Sequence, residues 1–247
     1  MIIFREVVEQ PLYNSLIAIY DILPWQDLGI AIIILTIIIK GIMYPLQKKQ
    51  IENMKAMADL QPEMKQIQKE HKDDKEAQTK AMMALYKKHG TNPLSGCLPL
   101  IVQIIVFFGI YSVINMIIGS SFAVQPSELY SFVNNPGAIN HLFLNFLDLA
   151  KPSIPLAILT AAAQFYQTKQ MIAAQPTPVP NEDGKPDFAQ MMNKQMLFIG
   201  PIMILVVGFS LPAALPLYWV TSTVLMIAQQ TITLKTKKSP EIVTLPS

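Results

Sequence analysis

The chain has 247 residues, 51% of them hydrophobic and only 15% charged, where an average soluble chain is roughly 25% charged, so the composition is that of a membrane protein. Ten glycines without a period exclude a collagen-like chain, the apolar content excludes disorder, and the single Cys97 excludes an intrachain disulfide framework. The net charge of +2 is too small to argue for a nucleic-acid partner.

Met1 to Pro24 lacks a basic start followed by an uninterrupted apolar run and a small-residue cleavage site, so no secretory signal is expected there. Leu12, Leu16, Ile19, Tyr20 and Leu23 instead recur at helical spacing, with Asn14, Ser15 and Asp21 elsewhere on the wheel. The pattern predicts an amphipathic helix lying in the membrane interface within an extracytoplasmic segment 1–27; a frayed apolar leader is the plainer alternative.

About 20 apolar residues cross a hydrocarbon core, and five segments come near that length, at about 28–46, 94–118, 152–169, 196–210 and 215–233. The first carries Lys40 and is expected to stop at Pro45 and the basic pair Lys48 and Lys49. The second opens on Asn92 as a candidate N-cap with Pro93 in the first helical position. The last two are separated only by Ser210 to Ala214, which contains Pro212 and predicts an antiparallel pair.

Between the first two spans, residues 47–91 hold an apolar stripe at Met57, Leu60, Met64 and Ile67 and a second at Ala81, Met82, Leu85 and Tyr86. The polar run His71 to Lys75 divides them, which predicts an antiparallel helical hairpin. Gln175 to Lys185 is rich in proline and turn residues and is expected to be mobile. The segment 234–247 is read as a short cytoplasmic tail.

Ten lysines lie between the first and second spans, three between the third and fourth, and three in the tail, together 16 of the 19 cations. By the positive-inside rule the hairpin and the C-terminus are cytoplasmic and the N-terminus is outside. The expected fold is therefore an all-α integral membrane protein of five transmembrane helices, with an N-terminal amphipathic helix and a cytoplasmic helical hairpin.

Four stretches, taken in order, are specific: PLYNSLIAIYDILP; LQPEMKQIQKEHKDDKEAQTKAMMALYKKHGTNPLSGCLP; NFLDLAKPS; and KQMLFIGPIM with LPAALPLYWVTSTVLMIAQQ. Over about Tyr13 to Gln230 the chain resembles the YidC/Oxa family of membrane protein insertases. That resemblance implies a polar groove, open to the cytoplasm and to lipid, that receives the hydrophilic end of a client while its apolar segment leaves along the third and fifth spans. It implies nascent membrane proteins and membrane lipids as partners, the ribosome and a Sec-type translocon as further candidates, and the bacterial plasma membrane as location. The large extracytoplasmic domain, the lipid-modified N-terminal cysteine and the ribosome-binding extension of some relatives are not expected here.

The family usually has an arginine late in the first span, and the matching residue here is Lys40, a compact ammonium in place of a planar fork. Gln103 and Trp219 are similar to groove-lining positions. Each has a plainer reading. A lysine at a span centre costs about 2.5–3.5 kcal/mol, which the nine Ile and Leu of 28–39 offset by roughly 4 kcal/mol, and Lys40 is close enough to the span end to snorkel. Gln103, with Ser112 and Asn115, suits interhelical hydrogen bonding, and Trp219 suits an aromatic belt with Tyr218.

No nucleophile constellation, phosphate loop or metal-ligand spacing appears in the sequence, so no catalytic residue, metal or cofactor is expected and an enzyme is disfavoured. A small transporter or channel, or a structural membrane assembly factor, remain as alternatives to the insertase. A transporter would favour paired intramembrane charges, where the spans offer Lys40.

Overall fold

Asp27 starts the longest element. Its side chain accepts the Ile30 N–H at 3.0 Å, an N-cap that opens α3 (Leu28–Asp59). The computed structural model describes residues 2–72, 74–92, 98–174 and 188–236. At 1.5 Å per residue the 32 residues of α3 reach about 48 Å, well beyond a hydrocarbon core of about 30 Å. Pro45 lies inside this helix and does not end it, so the helix itself runs on past the span end expected at Pro45 and the basic pair. A proline lacks the N–H that would bond the carbonyl four residues back, here that of Gly41, and its ring crowds that carbonyl. The Gln229 side chain also donates to the Tyr44 carbonyl at 3.0 Å, holding the backbone next to the proline.

Before α3, the chain forms α1 (Ile2–Phe4), a π-helical turn (Arg5–Glu9) and α2 (Gln10–Ile22). The buried face of α2 is Tyr13, Asn14, Leu16, Ile17 and Tyr20. It is centred one position away from the apolar stripe read in the sequence and includes Asn14, which that reading placed on the polar side. The reason is the partner: α2 packs on α3 and α6 and beneath the 120–153 segment, which supplies polar groups for Asn14.

After α3 come α4 (Gln61–Glu70) and α5 (Lys75–Lys88), the latter capped by Asp74 accepting from the Glu76 and Ala77 N–H groups at 3.0 and 2.9 Å. Leu60, Leu85 and Tyr86 are buried between them with Met57, Met64, Ile67 and Met82 packed around, a small core separate from that of the bundle.

The remaining helices are α6 (Leu98–Gly119), α7 (Ile154–Ala173), α8 (Phe188–Gly208) and α9 (Ala214–Thr236). α8 starts ahead of the apolar run read from Met196, because Gln, Met and Lys extend a helix without making it apolar. α9 sits between α3 and α7, and α8 packs on α7. The main core draws on α2, α3, α6 and α9, with Leu149 and Ile139 closing it from the 120–153 segment. Among the described residues, α3 and residues 101–119 of α6 are long and apolar enough to cross a membrane, and Leu197–Gly208 is apolar but shorter. The chain is thus mostly helical with membrane-spanning character. Asn92 is described and exposed, whereas Pro93 of the same N-cap reading, the Gln175 to Lys185 connection and the tail beyond Thr236 lie outside the described residues.

Between α6 and α7 the chain builds a cap with no helix longer than one turn. β1 (Leu142–Phe143) pairs antiparallel with β2 (Leu147–Asp148), and Leu144 and Asn145 turn between them at φ +52° and +63°. The second Asp27 oxygen accepts the Leu144 N–H at 2.7 Å. Beside it a Cβ on Gly29 would lie 2.2 Å from the Phe143 ring, so only glycine allows this approach. The hydroxyls of Tyr13 and Tyr20 accept the N–H groups of Gln125 and Asn140 at 2.9 and 2.7 Å, and Asn14 both donates to the Glu128 carbonyl and accepts from the Tyr130 N–H. Arg5 pairs with Glu128.

Candidate functional site

Lys40 is the one ionisable residue in the apolar half of α3, and it is 6% exposed. Its ammonium donates to the Gln103 Oε1 of α6 at 2.9 Å. The Gln103 Nε2 in turn donates to the Tyr218 hydroxyl of α9 at 2.8 Å, and Tyr218 is also hydrogen-bonded to Ser222, one turn along α9. Three helices thus contribute one polar chain running ammonium, amide, phenol, hydroxyl.

One turn before Lys40, the Thr36 hydroxyl is buried and donates to the Ile32 carbonyl of its own helix at 2.6 Å, and Met43 and Leu217 are buried on α3 and α9. A hydrogen bond to a charged donor contributes about 1.5–3 kcal/mol, which holds Lys40 in the bundle, although a neutral amide cannot neutralise it. Among the described residues no acidic side chain pairs with Lys40. Its ammonium has three donors, and with Gln103 taking one, the group remains suited to a carboxylate or a carbonyl oxygen.

Trp219 joins a different set of partners. It is half-buried, its indole N–H donates to Gln164 of α7 at 3.2 Å, and its ring meets Phe107 edge-on at 5.1 Å. The structure therefore brings Lys40 and Gln103 together and places Trp219 on the α7 side of α9. Adjacent helical residues point about 100° apart, so Tyr218 and Trp219 cannot share one neighbour. The tyrosine takes the inner position because its hydroxyl reaches Gln103.

Sequence reasoning missed Tyr218, Ser222 and Gln164. Spacing holds the signal: Tyr218 and Ser222 are four apart on α9, and Gln164, Gln167 and Thr168 fall three and four apart on α7, where their side chains bond one another. Asn115 faces outward and is exposed. Among the described residues, no group of three or more His, Cys, Asp and Glu is placed to hold a metal ion.

Comparison with known proteins agrees with this architecture. The family model described as 60Kd inner membrane protein matches residues 19–240. The membrane protein insertase YidC of Fusobacterium nucleatum is 34% identical over 209 residues, covering 85% of this chain and 87% of the relative. The membrane protein insertase MisCA of Bacillus subtilis is 36% identical over 237 residues, covering 92% of this chain and 79% of that one. The YidC of Streptomyces avermitilis is 32% identical, and there the chain spans about half of the relative's length, 52%; for the Pelobacter propionicus YidC it spans 38%. With a match over nine-tenths of its length and polar residues gathered between span-length helices, the chain belongs to the 60Kd inner membrane protein family.

Proposed function

We propose that the chain is a non-enzymatic membrane protein insertase that receives the hydrophilic end of a client beside Lys40 and releases its apolar segment to lipid. The observation that carries the reading is a lysine 6% exposed within a span-length helix and hydrogen-bonded to a neutral glutamine. An intramembrane charge without a countercharge is costly and is retained for function. The relatives' names, insertase in each case, point the same way.

In this reading five helices cross the bacterial plasma membrane. α7 and α9, with 20 and 23 residues, are about 30 and 35 Å long, sufficient to span although their glutamines and threonines lower their hydropathy. α2 lies in the outer interface, the N-terminus is outside, and the α4–α5 hairpin and the C-terminus are cytoplasmic. The hairpin lysines suit contact with a ribosome or a Sec-type translocon. Cysteines placed at Asp74 and Asn135, both exposed, should label from opposite faces of the membrane; labelling from one face defeats this topology.

An ammonium and a client carboxylate about 6 Å apart attract by about 3 kcal/mol at an effective dielectric of about 20. The charge therefore helps acidic tails without being required by every client. In liposomes containing the purified chain, Lys40→Arg should insert a small single-span client as the parent does. Lys40→Glu should insert a client with an acidic N-terminal tail at least tenfold more slowly than a neutral-tailed one, since about 1.4 kcal/mol is tenfold. Equal rates for the two tails identify Lys40 as a snorkelling anchor instead. Solute flux without insertion indicates a transporter, and neither activity indicates an assembly factor.

A further inference from the structure

Two turns beyond Lys40, about 10 Å along α3, a second polar region opens where α3, α7 and α9 meet. It is a cavity of about 30 Å³ whose walls include Gln47, Gln167, Gln229 and Gln230, with the thioethers of Met54 and Met226. All four glutamines are buried, Gln47 to 2% exposure. The Gln167 amide donates to the Met226 sulfur at 3.6 Å and the Gln229 amide to the Tyr44 carbonyl. The Gln47 Oε1 has no hydrogen-bond partner among the described residues.

Packing does not explain this set. A buried polar atom without a partner costs about 1–3 kcal/mol, and a methionine at position 47 would fill similar space at no such cost. Among the described residues no charged side chain lines the cavity. What the glutamines of the wall share, Gln50 among them, is the amide, the same paired donor and acceptor that a peptide bond carries. An extended chain entering a bilayer has the matching need, because each main-chain N–H and C=O without a partner in hydrocarbon costs several kcal/mol. The flexible methionines accommodate side chains of varied shape beside that chain. A cavity of this size holds about two waters, enough for the N–H and C=O edge of one extended peptide unit in their place and too little for a helix.

We propose that this cavity binds the main chain of an extended client segment, with Gln47 Oε1 accepting a client backbone N–H, so that a client is held as polypeptide irrespective of its charge. The inference rests on the insertase reading and divides its labour: Lys40 favours acidic tails, and the glutamine cavity holds neutral ones.

The test uses the full chain in lipid nanodiscs and two synthetic probes. Each probe has an apolar 20-residue segment, an uncharged ten-residue Gly/Ser/Asn tail and a neutral fluorophore; in the second, alternate tail amides are replaced by esters, which removes N–H groups with little change of shape. Binding is read by fluorescence anisotropy. The parent should bind the amide probe roughly two- to tenfold more tightly than the ester probe, the range of one net hydrogen bond. Gln47→Met should bring the two affinities together, and Phe132→Ser, exposed on the cap and remote from both polar regions, should leave the ratio as in the parent. Should Gln47→Met fail to accumulate, Gln167→Met tests the same cavity from α7. A ratio that survives both cavity substitutions overturns the inference and leaves the cavity as a solvent site. Equal binding of both probes by the parent overturns it while the insertase reading stands, and binding of neither overturns both.

Discussion

The two ends of the bundle treat their buried polar groups in opposite ways. Around the cap, Tyr13, Asn14, Tyr20 and Asp27 each hold a backbone group of the 120–153 segment at 2.7–2.9 Å. The segment in turn pins the start of α9, through Ala213 and Ala214 N–H groups donating to the Lys151 and Leu149 carbonyls. At the hairpin end lie the buried side-chain atoms that lack a partner among the described residues: Gln47 Oε1 in α3, Gln61 Nε2 in α4, Gln170 Oε1 in α7 and Thr233 Oγ1 in α9. A satisfied network is rigid and closed, whereas unsatisfied groups are available to something else. On the insertase reading proposed above, one end stays shut and the other is left to be filled.

The sharpest way to break this contrast is to remove a tie at the cap. Asn14→Leu leaves the half-buried Tyr130 N–H and Glu128 carbonyl without that partner, and at about 1–2 kcal/mol each, the lower part of the range for buried groups, the variant should lose about 2–4 kcal/mol in reversible unfolding from detergent micelles. Loss below 1 kcal/mol would show that the cap is merely draped over α2. Gly29→Ala should follow, at about 1–3 kcal/mol for overpacking, since its methyl meets the base of the Phe143 ring; faster hydrogen exchange at Leu144 would locate the damage.

The hairpin end should respond differently. Thr233→Val deletes an unpaired hydroxyl at nearly constant shape, so stability should stay within about 0.5 kcal/mol of the parent or rise by up to about 1 kcal/mol. A loss of 2 kcal/mol in the same unfolding assay would mean that this end is as tightly satisfied as the cap.

The smallest effect concerns acid. Burial opposes ionisation of Asp148, but hydrogen bonds from Lys151 and the Ala150 N–H, with the charges of Lys151 and His141, hold its carboxyl below the ordinary value of 3.8. A carboxyl with a folded pKa below its unfolded one stabilises above the unfolded value, and the contribution fades as pH falls through the folded one. Cap stability should therefore be flat from neutral pH to about 4 and decline below it, and Asp148→Asn should remove that acid-side slope. An unchanged slope assigns it to other carboxylates.

Much of this protein is legible in one dimension because membrane spans and hairpin stripes are local patterns. Nine Ile and Leu in the twelve residues before Lys40 dictate an apolar helix wherever it packs, and the Met57 and Leu85 stripes dictate two helices with facing apolar sides. Lys40 and Gln103 stand out because a polar residue inside an apolar run needs a partner. Composition shows that need but not which residue meets it.

Pairing was decided only in three dimensions. The sequence treats Tyr218 and Trp219 alike as aromatic neighbours, and the roughly 100° between them on α9 becomes a difference only when α6 supplies Gln103 on one side and α7 supplies Gln164 on the other. Asn14 looks solvent-facing until the 120–153 segment, more than 100 residues away, folds over it. Pro45 looks like a stop, yet α3 runs through it, with Gln229 of α9 bonded to the carbonyl just before it. Gln47, Gln167 and Gln229 are unremarkable singly, and they form a cavity because α3, α7 and α9 run side by side. Helices, apolar faces and a charge inside a span follow from periodicity and transfer energy along the chain and can be read residue by residue. Which polar groups are satisfied and which are left open depends on distances between helices far apart in sequence, which no local pattern carries.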